Sequence, residues 1–232
     1  EPDRPLTLHR SGLPVNHDSH LVWSPDGKYL ALGSNNRVQA WAVDEPAADF
    51  LLDASLATGG NIVAWSPDSR SIATRSTEGV QVFDLETKSP VALFGGQTYT
   101  DNNQVAWSPD GALLAAKMVS NIRVWSTEDG STVHVIPTNA TKRNCHPMAW
   151  SADGKEILAA TSDGVLRSYS STTGSPGRTW LLLAPDKWAE FSPDGRILRQ
   201  EGLEDELVVV AIGSAGQTTL PFEVVSEAKQ RD

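Results

Sequence analysis

Val22-Trp23-Ser24-Pro25-Asp26-Gly27 returns four times along the chain. The later copies are Ala64-Trp65-Ser66-Pro67-Asp68-Ser69, Ala106-Trp107-Ser108-Pro109-Asp110-Gly111, Ala149-Trp150-Ser151-Ala152-Asp153-Gly154 and Glu190-Phe191-Ser192-Pro193-Asp194-Gly195. The aromatic anchors at 23, 65, 107, 150 and 191 stand 42, 42, 43 and 41 residues apart. Self-similarity at such a period marks an array of supersecondary units, none of which can bury its apolar faces alone. Each unit keeps its phase outward from the quoted segment. Seven residues past the anchor stands a branched aliphatic: Leu30, Ile72, Leu114, Ile157 and Leu198. Eighteen or nineteen past it stands a second aromatic (Trp41, Phe83, Trp125, Tyr169), replaced in the fifth unit by Val208-Val209-Val210.

Ser-Pro-Asp-Gly is a turn for physical reasons: proline presets φ at its second position, and glycine serves the exit. The flanking runs, such as Val80-Gln81-Val82-Phe83 and Ile122-Arg123-Val124-Trp125, are short and rich in β-formers. Each unit therefore reads as four antiparallel strands. Stacking such sheets face to face around an axis buries both faces of each, with the anchor aromatics filling the gaps between neighbours. The expected fold is all-β, a β-propeller of five four-stranded antiparallel blades. The repeats run about 20–61, 62–103, 104–146, 147–187 and 188–221, after an N-terminal segment 1–19 and before a tail 222–232.

Over about residues 20–221 the pattern resembles the WD-repeat (WD40-type) β-propeller family, in the style of bacterial arrays with a Ser-Pro-Asp-Gly turn after the first strand. The TolB-like propellers share that turn. The family's namesake dipeptide is poorly kept: the chain has Trp41-Ala42, Phe83-Asp84, Trp125-Ser126 and Tyr169-Ser170. The Gly-His pair that usually precedes the first strand is missing, and with it the family's buried histidine tetrad. The resemblance therefore implies blades held mainly by apolar packing and by the turn. Arg4-Pro5-Leu6-Thr7-Leu8-His9 reads as an orphan outer strand. Either it covers an edge of a five-bladed ring, or the chain completes a larger ring, for example a seven-bladed one, with upstream sequence or another chain; exposed edges favour the second.

A net charge of −10 argues against a nucleic-acid partner and against an anionic membrane surface. No apolar run approaches the roughly 20 residues that membrane insertion needs. The single cysteine, Cys145, excludes an internal disulfide. Its neighbour His146 would point to the opposite face of a strand, a poor geometry for a nucleophile and base. His17, Asp18 and His20 lack a second cluster to complete a metal site, and the sequence offers no phosphate loop or other cofactor pattern. Asn139-Ala140-Thr141 matches the N-glycosylation pattern. Glu190 stands where the other units have Val22, Ala64, Ala106 and Ala149, and is expected to pair with a nearby Arg or Lys.

The expectation for function is a non-catalytic scaffold or recognition domain with a protein or peptide partner. The alternatives are an architectural subunit completing a larger propeller or assembly and, further off, a pore-based ligand binder or hydrolase. Candidate partner-binding residues lie in the segments entering each first strand: Tyr99, Arg143, His146 and Trp188 as hot-spot types, with His20, Asn61, Asn103, Gln104 and Lys187. Four residues before the anchors stand Ser19, Asn61, Asn103, His146 and Lys187; three before stand His20, Ile62, Gln104, Pro147 and Trp188. If the first strands line a channel, these make two tiers at its mouth, and Trp188 is the expected energetic anchor.

Overall fold

The structure is a computed structural model that describes residues 19–34, 37–44, 49–52, 63–76, 78–95, 104–118, 120–138, 147–160, 165–184, 187–201, 206–209 and 223–226. Every regular element among these residues is a β-strand. The chain divides into two compact units, residues 1–118 with 122–134 and residues 119–121 with 135–232.

The first three repeats form three four-stranded antiparallel sheets. The first contains β1 (His20–Trp23), β2 (Tyr29–Ser34), β3 (Arg37–Ala42) and β4 (Asp49–Leu52). The second contains β5 (Val63–Trp65), β6 (Ser71–Ser76), β7 (Gly79–Asp84) and β8 (Ser89–Gly95). The third contains β9 (Val105–Trp107), β10 (Leu113–Lys117), β11 (Asn121–Ser126) and β12 (Thr132–Pro137). Strands neighbour one another in chain order, and the registers agree: Trp23 faces Leu30, Trp65 faces Ile72 and Trp107 faces Leu114.

Alternation along a strand sends odd and even positions to opposite faces, so each of these sheets has two apolar sides, and the repeats bury them against each other. Ala31, Val38 and Ala40 of the first repeat form one cluster with Val63, Trp65, Ile72 and Phe83 of the second. Ala73, Val80, Val82 and Phe94 of the second form the next cluster with Val105, Leu114, Ala116, Met118 and Trp125 of the third. Small or β-branched residues on one side thus receive the large aromatic and aliphatic residues of the next repeat. The indole N–H of each receiving anchor also finds a partner across the seam. Trp65 Nε1 donates to the Val22 carbonyl at 3.3 Å, and Trp107 Nε1 donates to the Ala64 carbonyl at 3.2 Å. An anchor tryptophan therefore fills the seam and satisfies a backbone oxygen there.

The turn after each first strand is a closed hydrogen-bond ring. In the first repeat the Ser24 hydroxyl donates to Asp26 Oδ1 at 2.6 Å, Asp26 Oδ1 accepts the Lys28 N–H, and the Tyr29 N–H returns to Ser24 Oγ. Ser66/Asp68, Ser108/Asp110 and Ser151/Asp153 repeat it. The residue after the aspartate has a left-handed backbone, with φ of 71° at Gly27, 74° at Gly111 and 71° at Gly154, where glycine alone avoids a steric cost. In the second repeat Ser69 takes that conformation, at φ 61°. Its hydroxyl accepts the Asp26 N–H at 3.1 Å, so a strained serine ties the second turn to the first.

In the second unit the fourth and fifth repeats depart from the expected pair of separate blades. Six strands make one antiparallel meander: β13 (Met148–Trp150), β14 (Glu156–Ala160), β15 (Val165–Ser170), β16 (Pro176–Ala184), β17 (Lys187–Phe191) and β18 (Ile197–Glu201). The connection from β16 to β17 is the cause. In the first three repeats the link from a fourth strand to the next first strand has ten, nine and ten residues (53–62, 96–104, 138–147), whereas residues 185 and 186 alone join β16 to β17. Crossing back over a four-stranded sheet covers about 14 Å, three spacings of roughly 4.8 Å. The three Cα–Cα steps from 184 to 187 reach at most about 11 Å, so the chain turns as a hairpin and β17 pairs with β16. Further on, β19 (Glu206–Val209) pairs with β20 (Glu223–Ser226) in a separate two-stranded sheet.

The fifth repeat also shortens its turn. The Ser192 N–H bonds to the Arg196 carbonyl, four residues on, whereas the Ser24 N–H bonds to Tyr29, five on. Phe191 therefore faces Ile197, the register slips by one between Phe191 and Glu190, and Leu198 is left half exposed instead of joining the core with Leu30, Ile72, Leu114 and Ile157. The second aromatics Trp41, Phe83, Trp125 and Tyr169 are all buried. Among the anchors Trp65 and Phe191 are buried and Trp107 and Trp150 half-buried, but Trp23 is 55% exposed.

Candidate functional site

Each sheet of the first unit has a turn end and an entry end. First strands enter at residues such as His20 and leave into the serine–aspartate turn, while the second and third strands meet at the entry end, as Ser34 facing Arg37 and Ser76 facing Gly79 show. The two ends use their polar groups differently.

At the turn ends the carboxylates are committed to structure. The seryl hydroxyl on each of Asp26, Asp68, Asp110 and Asp153, followed by the backbone N–H two residues on, holds the carboxyl below its ordinary 3.8. Asp194 is lowered by Ser192 first and then by the Arg196 charge, whose Nε stands 2.8 Å from Oδ2. These groups are ionised anchors for backbone N–H and hydroxyl donors. Asp84, the aspartate kept from the family dipeptide, is likewise lowered by the Thr87 N–H and hydroxyl it accepts at 2.8 Å.

At the entry ends a polar layer sits within the apolar stack. Ser34, Gln39, Thr74, Arg75, Ser76, Gln81 and Lys117 are all buried. Arg75 and Lys117 occupy the same phase, ten residues past their anchors, where the first and fourth repeats have Gly33 and Ala160. The pattern was visible in the sequence, but burial on a strand end could be read only from the fold. Gln81 Oε1 is a buried acceptor with no hydrogen-bond partner among the described residues. His20 is exposed and its Nδ1 accepts the Val63 N–H at a long 3.4 Å, while Ser19 donates to Ser34 Oγ at 3.0 Å. Gln104 is half-buried, and its carbonyl accepts the Lys117 N–H at 2.9 Å.

Of the remaining candidates, Lys187 and Trp188 open β17 in the second unit, both half-buried. Trp188 lies between Leu182 and Glu201 on the adjacent strands, and its indole donates to Glu201 Oε2 at 2.9 Å. Two places along the same face, Glu190 is almost fully buried, with Arg178 at 2.9 Å on one oxygen and Arg199 at 3.8 Å from the other. The arginine pairing expected for Glu190 is thus present, made by strands on both its sides. Tyr99, Arg143, His146, Asn61 and Asn103 lie outside the described residues, as do Cys145, His17, Asp18 and Asn139. Among the described residues no three His, Cys, Asp or Glu side chains gather as metal ligands, and no helix is long and apolar enough to cross a membrane.

The described chain is all-β, and the four-stranded antiparallel sheets of its first three repeats are consistent with a WD40 β-propeller. The family model for the WD domain, G-beta repeat, matches residues 4–42, through the end of β3, which is consistent with a WD-repeat family. A search of curated proteins finds no match to it.

Proposed function

We propose that this chain is a non-catalytic recognition domain that binds a protein or peptide segment at the entry ends of its sheets. Domains of this repeat type generally mediate protein–protein contact. One observation carries the assignment of the face: the repeated carboxylates are consumed by the turns at one end, whereas His20, Gln104 and the Arg75/Lys117 layer stand at the other. The exposed His20 imidazole and half-buried Gln104 at this end suit a polar segment with a few apolar side chains. On the second unit, taken by itself, half-buried Trp188 offers the face of its ring, its indole N–H being held by Glu201.

Photo-crosslinking tests the reading. A crosslinking residue placed at position 20 or 104 should capture one and the same partner from the native lysate, and the same residue at Lys28, on the turn end, should not. Capture mainly from position 28 would place the binding face at the opposite end.

A further inference from the structure

Each anchor tryptophan with a preceding repeat in its unit is covered by it. Val63 and Trp65 are buried against the first repeat, and Val105 and Trp107 pack against the second. Leu21 and Trp23 hold the same places on β1, yet are 54% and 55% exposed. The opening is one strand wide, because Leu30 and Trp41 behind it on β2 and β3 are buried. The two seams show what surface such a strip takes: the first strand of another repeat, offering the carbonyl of its anchor-preceding residue to the indole N–H.

The chain also carries the complementary surface. Val22 and Ala64, whose carbonyls hold the indoles of Trp65 and Trp107, are half-buried. Ala149, their counterpart in the fourth repeat, is exposed on β13, an edge strand of the six-stranded sheet. The anchor that follows it is Phe191, which has no N–H to give. Phe191 is moreover buried with Val165, Leu181 and Ala189 on the sheet face opposite to Ala149. Beside Ala149 stands Leu158, in the place that Ala31 takes beside Val22 and Ala73 takes beside Ala64. A larger apolar side chain thus flanks that position on β13.

We propose that Leu21 and Trp23 on β1 dock on β13 of a second copy of this chain, with the Trp23 indole donating to the Ala149 carbonyl, a head-to-tail contact built like the seams inside the first unit. Such a contact is heterologous, so it extends beyond a dimer unless the rotation closes.

Sedimentation velocity of the full chain across about a hundred-fold range of concentration should show reversible growth beyond the monomer. Trp23→Phe keeps the ring and loses the donor, which should weaken association about five-fold. Trp23→Ala and Ala149→Arg should each abolish it. Mixing those two variants supplies one intact donor strip and one intact acceptor strand, and should restore a one-to-one dimer that grows no further. If Trp23→Ala lowers the thermal midpoint, Leu21→Lys on the same strip takes its place in the mixture. A wild-type chain that stays monomeric throughout overturns the proposal, as does wild-type association by Trp23→Ala and Leu21→Lys. A mixture that forms no dimer overturns it too, since a head-to-head contact through Trp23 would behave in that way.

Discussion

Trp65 and Trp23 occupy one sequence position in two repeats, and the fold predicts very different costs for removing them. Trp65 is 8% exposed, stacks on Tyr29 at 5.9 Å between ring centroids and donates to the Val22 carbonyl. Withdrawing nearly all of an indole of roughly 200 Å² from water, at about 25 cal/mol per Å², sets an upper bound near 5 kcal/mol. Truncation to alanine keeps one carbon but opens a closed cavity among Ala31, Val38, Ile72 and Phe83, so the expected loss is about 4 kcal/mol, inside the usual range for a buried aromatic. Trp23 has less than half its surface covered, and water can enter the space it leaves, so the expected loss is about 1–2 kcal/mol. Trp65→Phe isolates the polar part: the ring volume is largely kept, the Val22 carbonyl loses its seam donor, and about 1–2 kcal/mol should go. Urea unfolding followed by far-UV circular dichroism, at concentrations where the chain is monomeric, reads all three. Equal midpoint shifts for Trp23→Ala and Trp65→Ala would refute the seam argument, because the two positions then could not differ in what covers them.

Acidification probes the turns. Asp26, Asp68, Asp110, Asp153 and Asp194 titrate below 3.8 when folded. Their contribution is thus present above the unfolded aspartate value and is lost as pH falls through the folded one. In about 0.15 M salt, where long-range repulsion is screened, the thermal midpoint should stay level down to about pH 5 and drop below about pH 4; a level or rising midpoint from pH 5 to 3 would contradict this. Ser69→Ala keeps the left-handed strain and loses the bond to the Asp26 N–H, for a cost of about 1–2 kcal/mol. Ser69→Gly loses the same bond but relieves about 1 kcal/mol of strain and should be nearly neutral, so the order of the two variants in thermal melts is the check. Gly79→Ala would set a Cβ 2.0 Å from the Phe94 carbonyl oxygen at φ 152°, and should cost over about 3 kcal/mol or prevent folding, as expression and circular dichroism will show. Arg178→Ala leaves buried Glu190 with Arg199 alone at 3.8 Å and should cost about 2 kcal/mol in urea, reduced from a fully buried pair because Arg178 is itself exposed.

The repeat, the strand order within the first three sheets and the role of the serine–aspartate turn followed from the sequence, because each is a local property. A proline and glycine turn, a period of two along each strand and a return every 42 or so residues all act over a few residues at a time. The buried second aromatics Trp41, Phe83, Trp125 and Tyr169 follow from the same phase. What a repeat touches is not local, and there the tertiary structure decided. Trp23 and Trp65 read alike in sequence, yet Trp65 is buried against the first repeat while Trp23 is 55% exposed. Arg75 and Lys117 became buried cations because the strand ends on which they sit are enclosed by their neighbours. Leu198 kept its count from the anchor but lost its place in the core, because a turn shorter by one residue slipped the register. Glu190 gained arginines on both sides because the two residues joining β16 to β17 cannot cross a sheet, so the fifth first strand stays paired with the strand before it. Side-chain spacing determined the units, and chain reach and the availability of a neighbouring surface determined how they were assembled.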